Sequence, residues 1–390
     1  MKNLLYTPLF LKLTFGSLLF FGSMNMILPE LPGYLDSMGG QEYKGAIIGL
    51  FTLTACISRP FSGRLADTVG RIPVIMFGTL VAVVTNSLYI VVPSIVGFLI
   101  LRLIHGLTVG FNSTGATAYI SDIIPNEKRG EAMGFFGLMN NVGAGLAPLL
   151  GSFMTKTFGI NSMFLTASVL ASGSALVFWK VNETLKDTQP FKLKLLNLEK
   201  KDLAEKRVWL PAIIMFLMVF SFGTVLTVGF DLAEQLKAPN KGTILMIMTL
   251  SSIFIRVIAG KFSDRFGRKT AMLFGLTTLT IGLLLMANAK DLNHLYIATC
   301  IVGLGNGMNN PTIFAWVTDW GNPKNKGRAI STLFIALEIG VGIGSFISAE
   351  VYDNKISNIS SAFYLAASFA LIANIILVST WKYKPKLIIE

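Results

Sequence analysis

Apolar residues fill long stretches of this chain, and polar residues gather in the short segments between them. Each apolar stretch has about 20 residues, the length at which a helix crosses the hydrocarbon core of a bilayer. A helix also pairs its own backbone N–H and C=O groups, as lipid requires. The pattern predicts an all-α membrane protein with twelve transmembrane helices, at residues 9–31, 44–62, 72–92, 94–118, 131–155, 161–181, 207–230, 242–262, 270–289, 292–317, 328–350 and 359–381.

Positive charge is concentrated in every second loop between these predicted helices. The opposite loops hold few basic residues, such as Lys44, Lys237 and Lys290. Because loops rich in Lys and Arg remain in the cytoplasm, we expect both termini to be cytoplasmic. We expect a multi-pass monomer surrounded by lipid in the cytoplasmic (inner) membrane. The net charge of +12 then encodes topology, and no nucleic-acid partner is expected.

The composition agrees with a membrane protein. The chain is 53% hydrophobic and only 14% charged, whereas a soluble domain averages about a quarter charged residues. The two cysteines, Cys56 and Cys300, both lie inside predicted helices. This placement indicates neither a disulfide framework nor a metal site, and we expect no cofactor.

A charged segment between predicted helices 2 and 3 recurs between helices 8 and 9. The first charged turn is GRLADTVGR at 63–71, and the second charged turn is GKFSDRFGR at 260–268. Their aspartates, Asp67 and Asp264, lie 197 residues apart (264 − 67). The same offset relates further pairs, namely Arg59 with Arg256, Gly106 with Gly303, Gly110 with Gly307 and Asp122 with Asp319.

The repeat is predicted to continue with an offset of 199 after a two-residue insertion. This offset matches Arg129 with Arg328, Gly143 with Gly342 and Gly145 with Gly344. The chain is therefore expected to form two pseudo-symmetric six-helix bundles, residues 1–181 and 207–390, joined by a cytoplasmic linker at 182–206. Parallel repeats of this kind hold a substrate near the membrane midplane, between the halves.

Each charged turn is expected to form a small charge network at the cytoplasmic face. The glycines that open the turns should permit close helix approach, and Asp67 and Asp264 stand where a carboxylate caps the next helix. Arg71 and Arg268 should approach Asp122 or Asp319. The candidate gate residues are Gly63, Asp67, Gly70, Arg71, Asp122, Arg129, Gly260, Asp264 and Arg268.

With these residues the sequence resembles the major facilitator superfamily over essentially its full length. The two charged turns look like the family's signature between helices 2 and 3 and its echo between helices 8 and 9. The first copy departs at Ile72, where a second basic residue is usual, and the second copy keeps Lys269. The resemblance implies that Asp67, Arg71 and Asp122 form a gate latch that holds the outward-open state.

Two further segments carry the resemblance. RLIHGLTVG, from Arg102 to Gly110, is similar to the helix-4 motif, with His105 in place of the usual Gln. GAGLAPLLGS in helix 5 resembles the antiporter motif of drug/proton exporters, matching it at Gly143, Pro148 and Gly151 and departing from it at Ala147 and Ser152. This resemblance implies the twelve-helix drug/proton antiporter branch, with the proton gradient as energy source.

Ionisable residues deep in a membrane helix are costly and indicate function by default. Glu338 lies ten residues after the predicted start of helix 11, about 15 Å along the axis, which places it near the midplane. The candidate proton-coupling residues are Glu338, Arg102, His105, Glu30 and Asp231. The alternatives are ion pairs that only brace the helices and, for the last two residues, solvated charges at outer helix ends.

Asparagines at helical spacing suggest a polar lining for a substrate cavity. The candidate substrate-binding residues are Asn25, Asn112, Asn140, Asn141, Asn306, Asn309 and Asn310. Hydrogen bonding between neighbouring helices is the rival explanation for these amides.

The expected function is a proton-coupled secondary transporter that exports a small amphipathic drug-like compound or metabolite by alternating access. The alternative is an uptake symporter or facilitator for a sugar, organic acid or metal chelate. The sequence has no GxxxxGK[ST] segment for ATP. It also offers no catalytic triad or metal set, which argues against a membrane enzyme.

Overall fold

The computed structural model describes residues 7–92, 94–125, 129–196, 205–321 and 326–383. All regular secondary structure in these ranges is helical. The helices that come before the linker are α1 Pro8–Met26, α2 Leu31–Ser37, α3 Lys44–Thr68, α4 Arg71–Leu88, α5 Ile95–Ile123, α6 Arg129–Phe158 and α7 Ile160–Trp179.

The helices after the linker repeat this order. They are α8 Trp209–Thr224, α9 Phe230–Gln235, α10 Thr243–Phe266, α11 Arg268–Ala287, α12 Leu292–Trp320, α13 Lys326–Tyr352 and α14 Ile359–Ser379. A π-helical turn, Val225–Gly229, joins α8 to α9 without a break in the chain direction. Such wide turns are rare and often stand at functional sites.

Local sequence signals explain several helix ends. The side chains of Ser94 and Asp291 cap α5 and α12 by accepting hydrogen bonds from the N–H groups of Gly97 and His294, as these residue types do at N-caps. The charged turns reverse direction at a glycine with positive φ, 135° at Gly70 and 92° at Gly267. A residue with a Cβ is strained in that conformation.

In the part of the chain that the structure describes, ten helical segments are long and apolar enough to cross a membrane, and α10, which is bent by 48° within its length, brings the number to at most eleven. The asparagines and glycines of α12 lower its hydropathy, so this helix is not among them. An all-helical protein with many apolar spans is therefore confirmed. Twelve spans and cytoplasmic termini remain predictions.

The chain divides into two compact units. The first comprises Met1–Gln41, Leu53–Leu198 and Asn240–Met246, and the second comprises Glu42–Thr52, Glu199–Pro239 and Ile247–Glu390. The start of α3 belongs to the second unit because Gly45 packs against the side chain of Ala349. The start of α10 belongs to the first unit, where Gly242 packs against the backbone of Pro148.

Helices in each unit pack backbone to backbone through small residues, and α6 with α1 and α13 with α8 are equivalent examples. A Cβ on Gly143 or Gly151 of α6 would meet the carbonyl oxygen of Leu18 or Met26 of α1. In the second unit, a Cβ on Gly340 or Gly344 of α13 would meet the carbonyl oxygen of Phe216 or Phe220 of α8. Small residues of this kind let membrane helices approach closely.

This packing corrects the predicted register of the repeat. Gly143 and Gly340 hold equivalent places and are 197 residues apart (340 − 143), as the charged turns are. Gly342, the predicted match of Gly143, faces Thr52 of α3 instead. The offset of 199 is therefore wrong here, because shared glycines in a glycine-rich segment do not reveal which helix face they occupy.

The close approach of α6 to α1 can be tested with two alanine substitutions in the same helix. Gly143→Ala should destabilise the protein by about 1–3 kcal/mol through overpacking, although alanine favours a helix over glycine by about 1 kcal/mol. Gly137→Ala is the matched control because a Cβ there has nothing within 4 Å. Thermal unfolding of the purified protein measures both, and equal midpoints would contradict the packing argument.

Candidate functional site

The first charged turn is held together by one guanidinium group. Arg71 Nη1 donates to Asp67 Oδ1 at 2.5 Å, and its Nε donates to Asp122 Oδ2 at 3.1 Å. The Arg71 side chain is 12% exposed, whereas those of Asp67 and Asp122 are 71% and 31% exposed. The structure thus brings together three residues that lie on three different helices or their ends.

A carboxylate from outside the turn caps α4. Glu183 Oε2 accepts a hydrogen bond from the Ile72 N–H at 2.9 Å, and Thr184 Oγ1 donates to Asp122 Oδ2 at 2.7 Å. The prediction that Asp67 caps this helix is wrong, because its carboxylate binds Arg71 instead. The chain that follows α7 is therefore fastened to the first charged turn.

The second charged turn repeats this network in a more exposed form. Arg268 Nε donates to Asp319 Oδ2 at 2.9 Å, its Nη1 donates to Ser263 Oγ at 2.9 Å, and Nη1 also binds Asp264. The side chain of Arg268 is 25% exposed and that of Asp319 is 50% exposed. Asp264 therefore pairs with Arg268. The prediction that it caps α11 is wrong.

Two other expectations about the turns have clear outcomes. A Cβ on Gly63 or Gly260 would have nothing within 4 Å, so the predicted role of these glycines in close helix approach is wrong. Gly70 is needed for its positive φ. Arg129 is the first residue of α6, but its side chain lies outside the described residues.

Arg102 and His105 belong to a buried cluster in the first unit. Both are almost completely buried, as is Tyr89. Arg102 Nη1 and the Tyr89 hydroxyl each lie 3.3 Å from His105 Nδ1. A guanidinium can only donate, so this geometry favours a neutral imidazole that accepts at Nδ1.

Aromatic rings surround this cluster. The ring of Tyr89 stacks on Phe164 with 5.1 Å between centroids and lies 5.5 Å from Phe98. Tyr34 donates its hydroxyl hydrogen to the Tyr89 carbonyl at 3.0 Å. The cluster is thus integrated into the packing of the first unit.

The carboxylates of Glu338 and Asp231 both lie in the second unit. Glu338 is 5% exposed in the middle of α13. Asp231 follows the π-helical turn, and its Oδ2 accepts a hydrogen bond from Lys44 Nζ at 2.8 Å, with side chains only 7% and 12% exposed for the lysine and the aspartate. The Lys44 ammonium also lies 5.7 Å from the ring centroid of Tyr352.

Glu30 makes a different contact in the first unit. Its Oε1 accepts a hydrogen bond from Ser152 Oγ at 2.6 Å. Ser152 directly follows Gly151, which packs on α1. The serine at this position of the predicted antiporter segment therefore supplies a polar partner for the Glu30 carboxylate.

The predicted asparagines fall into two groups. Asn112 and Asn309, related by the offset of 197, are both 0% exposed. Asn112 Nδ2 donates to Thr79 Oγ1 at 2.8 Å, and Asn309 lies against Gly275 of α11. These two amides lie in helix–helix packing, whereas the remaining candidates are partly buried, namely Asn25, Asn140, Asn141, Asn306 and Asn310.

Two overlapping stretches, residues 13–238 and 212–387, match the family model of the Major Facilitator Superfamily. The chain belongs to this superfamily. It is a multi-pass membrane transporter and not an enzyme.

Several similar proteins are named as bacterial resistance proteins. The chain is 27% identical over 354 residues to the multi-drug resistance efflux pump PmrA of Streptococcus pneumoniae, which covers 86% of this chain and 87% of the pump. It is 25% identical over 377 residues to multidrug resistance protein 2 of Bacillus subtilis, covering 93% and 92%. It is 22% identical over 386 residues to the quinolone resistance protein NorA of Staphylococcus aureus, covering 96% and 97%.

Two solved transporter structures have the same fold. The nucleoside transporter NupG has a TM-score of 0.77 at 17% identity, covering 96% of this chain and 100% of that one. The D-xylose–proton symporter has a TM-score of 0.76 at 17% identity, covering 96% and 97%. At this level of identity the likeness shows the fold alone.

Three residues with polar contacts in this transporter are not among the sequence-based candidates, namely Lys44, Glu183 and Tyr89. The sequence presents Lys44 only as a loop charge, although Lys241 repeats it at the offset of 197. Glu183 follows predicted helix 6 as an acidic residue in a basic linker, which was a usable signal. Nothing in the local sequence distinguishes Tyr89 from other aromatic residues in apolar segments.

The ion pairs of the two charged turns should differ in how much they contribute to the stability of the protein. Asp122→Asn should lower the thermal unfolding midpoint more than Asp319→Asn, because Asp122 is less exposed and also binds Thr184. Exposed ion pairs contribute about 0–1 kcal/mol, and burial raises the cost of losing one partner. Unfolding of the two single variants under identical conditions measures this, and a larger loss for Asp319→Asn would contradict the ranking.

Proposed function

We propose that this transporter is a proton-coupled exporter of small amphipathic organic compounds. The support for export comes from relatives named as multidrug or quinolone resistance proteins, which match most of the chain. The proton gradient would replace any cofactor. A membrane potential of 100 mV contributes about 2.3 kcal/mol per charge moved, so one or two protons could drive useful accumulation.

The burial of Glu338 is the observation that supports the proposal of proton coupling. It is 5% exposed on α13, where an ionised carboxylate is costly. The corrected register pairs it with Asn141 (338 − 141 = 197), whose side chain donates to the Gly137 carbonyl of its own helix. One half of the repeat thus has a neutral amide where the other has an ionisable acid. This difference is expected if only one half binds the proton.

Alternating access would open one membrane face at a time. The charged turns would lie at the cytoplasmic face, where their exposed carboxylates can separate from arginine at low cost. Lys44 begins α3, and the first charged turn ends it, so the Lys44–Asp231 pair would lie toward the outer face. Its burial makes it the firmer of the two kinds of contact.

Proton flux tests the proposed coupling. Everted vesicles with a pH-sensitive dye would be challenged with a panel of amphipathic drugs, metabolites and chelates. We expect a compound to discharge the proton gradient in the wild type but not in Glu338→Gln, because an amide cannot carry the proton.

The matched control for proton flux is Glu350→Gln, an exposed acid on the same helix, and it should behave as the wild type. Exchange of substrate without proton flux in the wild type would refute coupling. Substrate entering cells with the protons would instead establish the alternative, uptake symport.

The Lys44–Asp231 pair gives a second test. Asp231→Asn should destabilise the protein by about 3–5 kcal/mol, because it leaves a buried ammonium without this carboxylate. Lys44→Met combined with Asp231→Leu removes both charges and should recover much of that loss. Thermal unfolding measures all variants.

Asp353→Asn is the control for this second test, since the Lys355–Asp353 side chains are 65% and 61% exposed and should contribute little. An Asp231→Asn protein as stable as Asp353→Asn would contradict the importance of the buried pair.

A further inference from the structure

Lys269 of α11 binds the backbone at the C-terminal end of α14. Its Nζ donates to the carbonyl oxygens of Thr380, Trp381 and Tyr383 at 2.6, 2.7 and 2.9 Å. An ammonium group has three donors, so these three bonds use all of them. Carbonyls at a helix C-terminus lack partners within the helix, and a lysine that binds them also interacts favourably with the helix dipole.

Two indole rings complete the surroundings of this ammonium. Lys269 Nζ lies 5.9 Å from the centroid of Trp316 and 5.5 Å from that of Trp320, within reach of a cation–π interaction. The ring of Tyr383 in turn packs edge-on against Trp320 at 5.9 Å. The segment 380–383 is thus held both by its backbone and by an aromatic side chain.

In the first half of the chain, the segment after the last helix is also bound to the charged turn, but through a group of opposite charge. At the offset of 197, Ile72 corresponds to Lys269 and Glu183 corresponds to Thr380. In the first half the segment after α7 brings a carboxylate to the N–H of Ile72. In the second half α11 brings an ammonium to the carbonyls after α14. In both halves the chain that follows the sixth repeated helix is fastened to the charged turn.

We propose that Lys269 fastens residues 380–383 to the second charged turn as a C-terminal strap that controls how readily this turn opens. Lys269 directly follows Arg268, whose guanidinium joins Asp264 to Asp319. Both residues stand in the first turn of α11, so a displacement that separates Arg268 from Asp319 also pulls on the strap. The effect on transport rests on the proposed function, whereas the fastening itself does not.

The fastening is tested with a spin label on the strap of the full-length protein. Lys382 is exposed, so Lys382→Cys in a Cys56→Ser, Cys300→Ser background accepts a nitroxide there. The spectrum should show an immobilised label when Lys269 is present. Lys269→Met keeps an unbranched side chain one atom shorter than that of lysine and removes the ammonium, and it should raise the ratio of mobile to immobile label about tenfold.

The matched control is Ile72→Met at the equivalent position of the first half. The hydrogen bond to the segment after α7 comes from the backbone N–H of Ile72, which the substitution retains, so the label at 382 should not respond. If Lys269→Met does not yield folded protein, Lys269→Gln replaces it with a smaller expected rise. An immobile label in a folded variant without the ammonium would overturn the fastening.

Transport measured with the same variants separates the strap from the proposed function. Release of the strap should change the initial transport rate about fivefold, the lower range of conformational coupling between sites, while Ile72→Met should leave the rate unchanged. Loss of docking without a change in rate would overturn the control role alone. Absence of transport in the wild type would overturn the proposed function and leave the spin-label result intact.

Discussion

A charge that leaves water must meet an opposite charge or a set of polar groups, and the arrangement of this protein's helix ends follows from how that need is met. Arg71 and Arg268 each meet one largely exposed carboxylate, Asp67 or Asp264, and one that is 31% or 50% exposed, Asp122 or Asp319. Lys44 meets Asp231 in a buried setting, and Lys269 meets three backbone carbonyls. The first kind of contact exchanges easily with water, whereas the Lys44–Asp231 pair is held more firmly because both of its side chains are withdrawn from solvent.

The two halves keep the same helix packing and differ in their charged groups. The small residues that let α6 approach α1 recur where α13 approaches α8, in one register. Against this common frame, Glu338 replaces Asn141 and Lys269 replaces Ile72. Backbone contact between helices tolerates little variation, since any added Cβ would meet a carbonyl oxygen. Polar groups that sit beside this contact are free to diverge, so the asymmetry between halves marks where each half does something of its own.

The fold was predictable because its main signal is local. Apolar runs about 20 residues long and the twin charged turns can be read directly from the chain. Errors arose where the answer depends on distant partners. Asp67 was expected to cap α4, but the cap comes from Glu183, 111 residues beyond Ile72.

The wrong or missing predictions concern residues whose role depends on the helix face that they occupy or on a partner far along the chain. Gly342 was matched with Gly143 because sequence identity does not show which face of a helix a glycine occupies. Lys44 was missed because its partner Asp231 is 187 residues away. The buried asparagines show the same limit, since one residue type serves both packing and cavities.

The energies of these contacts bear on the order of events that the proposed cycle would require. An exposed ion pair costs about 0–1 kcal/mol to separate, less than the roughly 2.3 kcal/mol that one charge gains in crossing 100 mV. Breaking a buried pair by neutralising one partner costs about 3–5 kcal/mol, more than that single charge provides. Parting the Lys44–Asp231 contact therefore needs compensation, such as hydration of both groups as they separate. In the proposed cycle, the energy gained by a single proton would be enough to open the charged turns. Separation of the buried Lys44–Asp231 pair would need more energy and would therefore be the slower step.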